Sequence, residues 1–166
     1  MRIDHSATSN PHSFPFVSKA VISCCWNSSK IDKKSKELSI SNLIAISGQK
    51  PAISIAKKSI SEFKIREGQE IGCYVTLRKL NMYVFFDHII NMAITRDTSF
   101  LSISESKFDN SNNLNIGFKD MSLFPQANQD KSNLTIGCNI SLNIKNSQSV
   151  DDSKKLLLSL GFPVNS

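Results

Sequence analysis

Long apolar runs are missing from this sequence: no window approaches the ~18 consecutive apolar residues of a bilayer-spanning helix. The N-terminus also lacks an apolar stretch behind a basic start, so secretion is not expected. Histidine is scarce, at three residues, and the four cysteines contain no Cys-x-x-Cys spacing. Cys24 and Cys25 are adjacent, while Cys73 and Cys138 occupy apolar positions of strand-like runs. That pattern speaks against zinc or a disulfide framework and for free thiols buried as small hydrophobes. Phosphate-binding Gly-x-x-x-x-Gly-Lys-Ser/Thr, dinucleotide Gly-x-Gly-x-x-Gly, Gly-x-Ser-x-Gly and His-Glu-x-x-His patterns are all absent. Asp87 and His88 adjoin in a helix-like run, and helical neighbours point about 100° apart, so they form no relay. No enzymatic activity, cofactor or metal is expected.

What is present is basic. The formal net charge is +6 and the isoelectric point near 9.2. Such an excess suits a polyanionic partner, and equally an anionic membrane surface or simple solubility. A chain of 166 residues holds one domain with a real core. Residues 1–15 are polar, with His5, Pro11 and Pro15 and no helical period, and read as an N-terminal extension; residues 16–166 read as a single domain.

Gly, Pro and basic residues are densest between Ser47 and Arg78. Gly48 followed by Pro51 stops a helix expected from about Lys30 to Ile46, with Asn27-Ser-Ser29 capping it and Ile40, Leu43 and Ile44 as its stripe. Pro51 to Ala56 is extended, and Lys57, Lys58, Lys64 and Arg66 outnumber Glu62 and Glu67 after it. Beyond a turn at Gly68, Ile71 to Arg78 alternates: Ile71, Cys73, Val75 and Leu77 on one face, Gly72, Tyr74, Thr76 and Arg78 on the other. The second face carries a ring, a hydroxyl and a guanidinium, suited to RNA, though a polar outer face is also ordinary for an antiparallel sheet.

Elsewhere, Val17 to Cys25, Leu114 to Lys119 and Thr135 to Lys145 read as strands, the last in the sheet interior. Met82 to Ile94 reads as a helix, and Arg96 to Asn113 as a long ordered loop. A final helix is capped by Asp151 or Asp152 and stopped by Gly161 and Pro163. The expected class is α+β, a mostly antiparallel sheet with helices packed on one face.

Ser47-Gly-Gln-Lys-Pro51, Ala56-Lys-Lys-Ser59, Phe63-Lys-Ile-Arg66 with Gly68, and Ile71-Gly-Cys73 leading to Val75-Thr-Leu-Arg78 resemble the signature run of bacterial-type large-subunit ribosomal protein five. The likeness continues through Phe85-Phe86, Phe108-Asp109, Asn113, Gly117, Phe124-Pro125 and Leu160-Gly-Phe-Pro163. It implies a structural protein that binds 5S ribosomal RNA in the central protuberance, beside large-subunit RNA and neighbouring large-subunit proteins. It also implies approach to the P-site transfer RNA elbow and to a small-subunit protein across an intersubunit bridge, with no membrane and no small-molecule substrate. Carried over residue by residue, Gln49, Thr76 and Arg78 become RNA contacts, with Lys50, Lys57, Lys58, Tyr74 and Ser23 around them. Ser23 stands where the family has Asn. Lys64, Arg66 and Gly68 fall on the loop that nears transfer RNA. In the Arg96 to Asn113 region only Arg96 remains of the family's arginine run, and Asn110-Ser-Asn112 replaces a Gly-Arg-Gly. Heavy Ile, Asn, Ser and Lys usage, with the family's first helix missing, fits a mitochondrial ribosome; a plastid or an AT-rich bacterium would have similar composition. A non-ribosomal basic RNA-binding regulator is the alternative.

Overall fold

A computed structural model describes residues 11–26, 33–96, 103–127 and 136–164. Five strands form one antiparallel sheet: β1 (Phe16–Cys25), β2 (Ala52–Ile55), β3 (Glu70–Leu77), β4 (Leu114–Phe118) and β5 (Cys138–Lys145), in the spatial order β2-β3-β1-β5-β4. Three longer helices accompany them: α1 (Lys33–Ser47), α2 (Lys79–His88) and α3 (Val150–Ser159). The class is α+β, as expected, and β5 lies inside the sheet between β1 and β4.

Period-two alternation decides which face is covered. Ala20, Ile22 and Cys24 of β1, Cys73, Val75 and Leu77 of β3, Ile140 and Leu142 of β5, and Leu114, Ile116 and Phe118 of β4 all point into one core. Leu43 and Ile46 of α1, Met82, Phe85 and Phe86 of α2, and Leu157 of α3 close that core from the helical side. Burying each Val, Leu, Ile, Phe or Met side chain among them contributes roughly 1.5–3 kcal/mol. Phe124, just after a short turn at Met121–Leu123, is a core anchor: its ring stacks on Phe85 at 6.3 Å and meets Phe118 edge-on at 5.8 Å.

Several local expectations need correction. Of the Ile40–Leu43–Ile44 stripe of α1, Leu43 is buried and Ile40 packs against the core, but Ile44 is 41% exposed, and Ser35, Ser39, Asn42 and Ser47 are buried beside Leu43 and Ile46. Two of the serines tolerate burial because their own helix satisfies them: Ser39 Oγ donates to the Ser35 carbonyl at 2.7 Å and Ser47 Oγ to that of Leu43 at 2.6 Å. The capping role expected of Asn27 to Ser29 lies outside the described residues.

β3 ends at Leu77, so Arg78 is not on the strand face; it is the extended N-cap of α2, which begins at Lys79 rather than Met82. That helix continues through a π turn at Ile89–Ala93, where the Ile94 N–H reaches the Ile89 carbonyl, and ends with a turn at Ile94–Arg96. Asp87 is exposed and His88 half-buried, its buried Nδ1 meeting no hydrogen-bond partner among the described residues. The cap of α3 is Ser149, whose side chain accepts the Asp152 N–H at 3.3 Å. Asp151 and Asp152 fall instead in the first turn, where carboxylates complement the helix dipole. Cys24, Cys73 and Cys138 are buried free thiols, but Cys25 points outward and is exposed.

Part of the Arg96 to Asn113 loop is held at defined points. Ile103 bridges Val164, and Lys154 of α3 pairs with Glu105. Asp109 closes the approach to β4, its carboxylate accepting the N–H groups of Ser111 at 2.9 Å and Asn113 at 2.8 Å and the Asn113 amide at 2.9 Å. Loss of some hydration works against the charge, but those hydrogen bonds outweigh it and hold the exposed carboxyl below its ordinary range. A depressed carboxyl stabilises the fold at pH values above its unfolded pKa, and that gain is lost as pH falls through the folded value. Asp109→Ala should therefore lower stability by about 0.5–1 kcal/mol near neutrality, and denaturant titrations should show the gap closing below about pH 4. A gap that is the same at pH 3 and pH 7 would rule out the charge as its source.

Candidate nucleic-acid interface

Because one face of the sheet is sealed by helices, the alternate residues must face outward, and among the described residues no helix covers them. Strand register sorts them into rows. Ala52, Tyr74, Ser23, Asn139 and Gly117 lie side by side across β2, β3, β1, β5 and β4. The next row runs Thr76, Val21, Ser141, Asn115, and beyond it Lys19 faces Asn143. Tyr74 is 42% exposed and Thr76 partly so. The result is a broad surface of hydroxyls and amides with one aromatic ring.

The strands approach closely at the other end of this face. A Cβ at Gly72 would lie 2.5 Å from the Cys24 carbonyl oxygen and 3.3 Å from Cys25 Cα, so only glycine lets β1 and β3 pair there. Trp26 extends that contact, its backbone N–H reaching the Ile71 carbonyl at 3.1 Å and its indole N–H the Glu70 carbonyl at 3.2 Å.

Gln49 is positioned by the end of α1. Gly48 adopts φ 66°, the left-handed conformation that terminates the helix, and its N–H bonds the Ile44 carbonyl at 2.8 Å. Ser47 Oγ then accepts the Gln49 N–H at 3.3 Å, fixing the backbone while the Gln49 side chain stays exposed. β2 runs antiparallel to β3 with Ala52 opposite Tyr74, so Gln49 and Lys50 lie toward the Thr76 and Arg78 end of the sheet. Arg78 is exposed, and none of the ion pairs among the described residues engages it. Gln49, Lys50, Thr76 and Arg78 thus gather at one end, with Tyr74 and Ser23 next to them on the face.

Lys57, Lys58, Lys64, Arg66 and Gly68 do not join that group. They belong to an excursion at the opposite end of β2 and β3, roughly 25 Å away at about 3.3 Å per residue along β3. Its base is closed by the Ala56 N–H to the Gln69 carbonyl at 2.9 Å and the Gly68 N–H to the Ala56 carbonyl at 3.0 Å. Ile60 bridges Ile65 above it, and Glu67 N–H bonds Ser59 Oγ at 2.9 Å. Phe63, 62% exposed, stands at the tip beside the basic residues. Of the lysines on α1, Lys36 reaches Glu70 at 3.9 Å, while Lys34 is exposed.

Sequence reasoning missed Lys19, Asn115, Asn139 and Ser141 as members of the outer face. The available signal was the polar half of the alternation in β1, β4 and β5, which was legible strand by strand but not as a joined surface.

Family comparisons match almost the whole described chain. Residues 10–66 match the family model for ribosomal protein L5, and residues 70–164 match the model for the C-terminus of the same ribosomal family. The chain belongs to the ribosomal protein L5 family. Among its relatives is the large ribosomal subunit protein uL5 of Verminephrobacter eiseniae, 38% identical over 155 residues that cover 93% of this chain and 86% of the relative. The uL5c protein of Mesostigma viride is 38% identical over 93% of this chain and 83% of its own length. The uL5 protein of Prochlorococcus marinus is 37% identical over 95% and 88%. The two family models meet in the turn before β3, yet β2 and β3 pair across that junction in a single sheet.

That sheet sets a stability test for the face itself. Gly72→Ala should destabilise the fold by about 1–3 kcal/mol, since β1 and β3 must separate to admit the methyl group. Thermal unfolding measures it; an unshifted midpoint would mean that the two strands are free to part there.

Proposed function

We propose that this chain is a structural constituent of the large ribosomal subunit that binds 5S ribosomal RNA through the uncovered sheet face, with Gln49, Lys50, Thr76 and Arg78 at its anchoring end. Family membership supports the ribosomal role, and one observation supports the site: an exposed polar face with an aromatic ring, bordered at one end by a guanidinium in no ion pair among the described residues and by a glutamine whose backbone is fixed by Ser47. The chemistry fits without any bond-making. Arg78 offers a fork of N–H donors to phosphate or guanine, Gln49 an amide to ribose or base edges, Thr76 a hydroxyl, and Tyr74 a ring for stacking. Ser23, shorter than an amide side chain, adds a hydroxyl to the same row.

The excursion carrying Lys57, Lys58, Lys64, Arg66 and Gly68 is proposed as a second contact, toward the P-site transfer RNA elbow and the small-subunit protein across the bridge. Its separation from Gln49 and Arg78 is consistent with two different RNA partners. The ribosome concerned is proposed to be mitochondrial on composition. Its relatives include bacterial uL5 proteins and a uL5c, which support a ribosome of bacterial type.

Binding of the chain to a 5S ribosomal RNA transcript, followed over a range of salt, tests the proposal. With two phosphate contacts, from Lys50 and Arg78, at roughly 0.7–0.9 each, log affinity should fall against log salt with a slope of about −1.4 to −1.8. Arg78→Ala should weaken binding by at least ~1 kcal/mol, the loss of a good bidentate contact, and Gln49→Ala should act in the same direction. Wild-type affinity in both variants, with intact folds, would move the site elsewhere. RNA binding without co-sedimentation with large subunits would favour a non-ribosomal regulator.

A further inference from the structure

The β1–β5–β4 half of the outer face carries amides away from the Gln49 and Arg78 end. Two of them are consumed internally. Asn143 accepts the Ser18 hydroxyl at 2.8 Å and gives its Nδ2 to Asn113 Oδ1 at 3.1 Å. Two others are open. Asn115 accepts the Ser141 hydroxyl at 2.6 Å, which fixes its oxygen and leaves its Nδ2 donors facing out. Asn139 sits between Ser23 on one side and Gly117 on the other. Its carboxamide lies over the glycine, Oδ1 being 3.1 Å from where a Gly117 Cβ would stand. Among the described residues neither the Asn115 nor the Asn139 Nδ2 donates a hydrogen bond.

The row Tyr74, Ser23, Asn139, Gly117 therefore has a relief: a ring, a short side chain, an amide and a bare backbone. Strands stand about 4.8 Å apart, which places the Asn139 amide about 10 Å from the Tyr74 strand across the depression over Ser23. No cation lies within this row. Unpaired amides beside a stacking ring suit base edges and ribose hydroxyls of an unpaired RNA segment, whereas phosphate would call for charge.

We propose that Asn139 and Asn115 form a neutral RNA-reading subsite, hydrogen-bonding base edges or ribose 2′-hydroxyls of nucleotides next to one stacked on Tyr74. This rests on the RNA-binding reading of the face and adds to it the side chains that confer selectivity without charge. Asn139 takes up, one strand over, the amide chemistry that the short Ser23 does not offer.

Filter binding of a 5S ribosomal RNA transcript by the full chain, at several salt concentrations, separates the outcomes. Asn139→Ala should lower affinity about three- to tenfold, the range of a net neutral hydrogen bond, with the salt slope unchanged. Asn115→Ala should show a smaller loss, and Asn139→Asp, which keeps the shape but removes the donors and adds a negative charge, a larger one. Arg78→Ala is the contrast, since it should flatten the slope by about 0.7–0.9. Circular dichroism checks that each variant is folded, which the exposure of both asparagines favours. Wild-type affinity for both Asn→Ala variants, with Arg78→Ala impaired, would overturn the subsite and leave the RNA-binding proposal standing. A loss accompanied by a flatter slope would also overturn it, because the amides would then act through phosphate. Failure of the wild-type chain to bind the transcript would overturn both readings.

Discussion

The double pairing of β1, with β3 on one side and β5 on the other, is the constraint on which the molecule depends. β1 contributes Ala20, Ile22 and Cys24 to the core, so its intervening residues have no choice but to face away from the helices. The same parity passes through the registers to β3 and β5 and from there to β2 and β4. A slip of one residue in either pairing would send the apolar set outward and bury Ser23, Asn139 and Ser141 without partners. The glycine at position 72 permits the close approach on one side, and the Ser18 to Asn143 hydrogen bond ties the other.

That single decision yields both the core and the proposed RNA face. The helices seal the apolar side with an aromatic chain that runs from Tyr83 through Phe86 to Phe162, and from Phe85 through Phe124 to Phe118. The opposite side is left with hydroxyls, amides, one ring and Lys19, while the other cations sit at its margins. On the proposed reading, charge at the margins would supply affinity and neutral groups selectivity, the division expected of an RNA-binding surface.

The basic stretch that dominates the sequence between Ser47 and Arg78 divides in space. Chain direction reverses between β2 and β3, so residues near each other in the centre of that stretch, Lys57 to Gly68, are carried to one end, while its two termini, Gln49 and Arg78, meet at the other. A hairpin necessarily does this, and a linear count of charge cannot reveal it. The α1 helix gives a second example. Of its apolar stripe Ile40 and Leu43 face the core, yet Ile44 turns outward and four polar residues share the buried side with Leu43 and Ile46. Serine hydroxyls bonded to their own helix carry little penalty when buried, so hydrophobicity alone does not identify the packed face.

By itself the sequence determined what is local. The alternation in β1, β3 and β5, the stop at Gly48 and Pro51, the end of α3 at Gly161, and the α+β class all follow from periods and turn chemistry within a few residues. Cap identity was less legible: Ser149 and the aspartates after it offer similar acceptors, and only the chain path selects the serine. Tertiary structure decided which strands are neighbours, and hence which polar residues form one surface. Ser23 and Asn139 are 116 positions apart and become adjacent only through the β1–β5 pairing. Such long-range contacts leave no periodic trace in either segment, because each strand alternates in the same way whatever partner it pairs with.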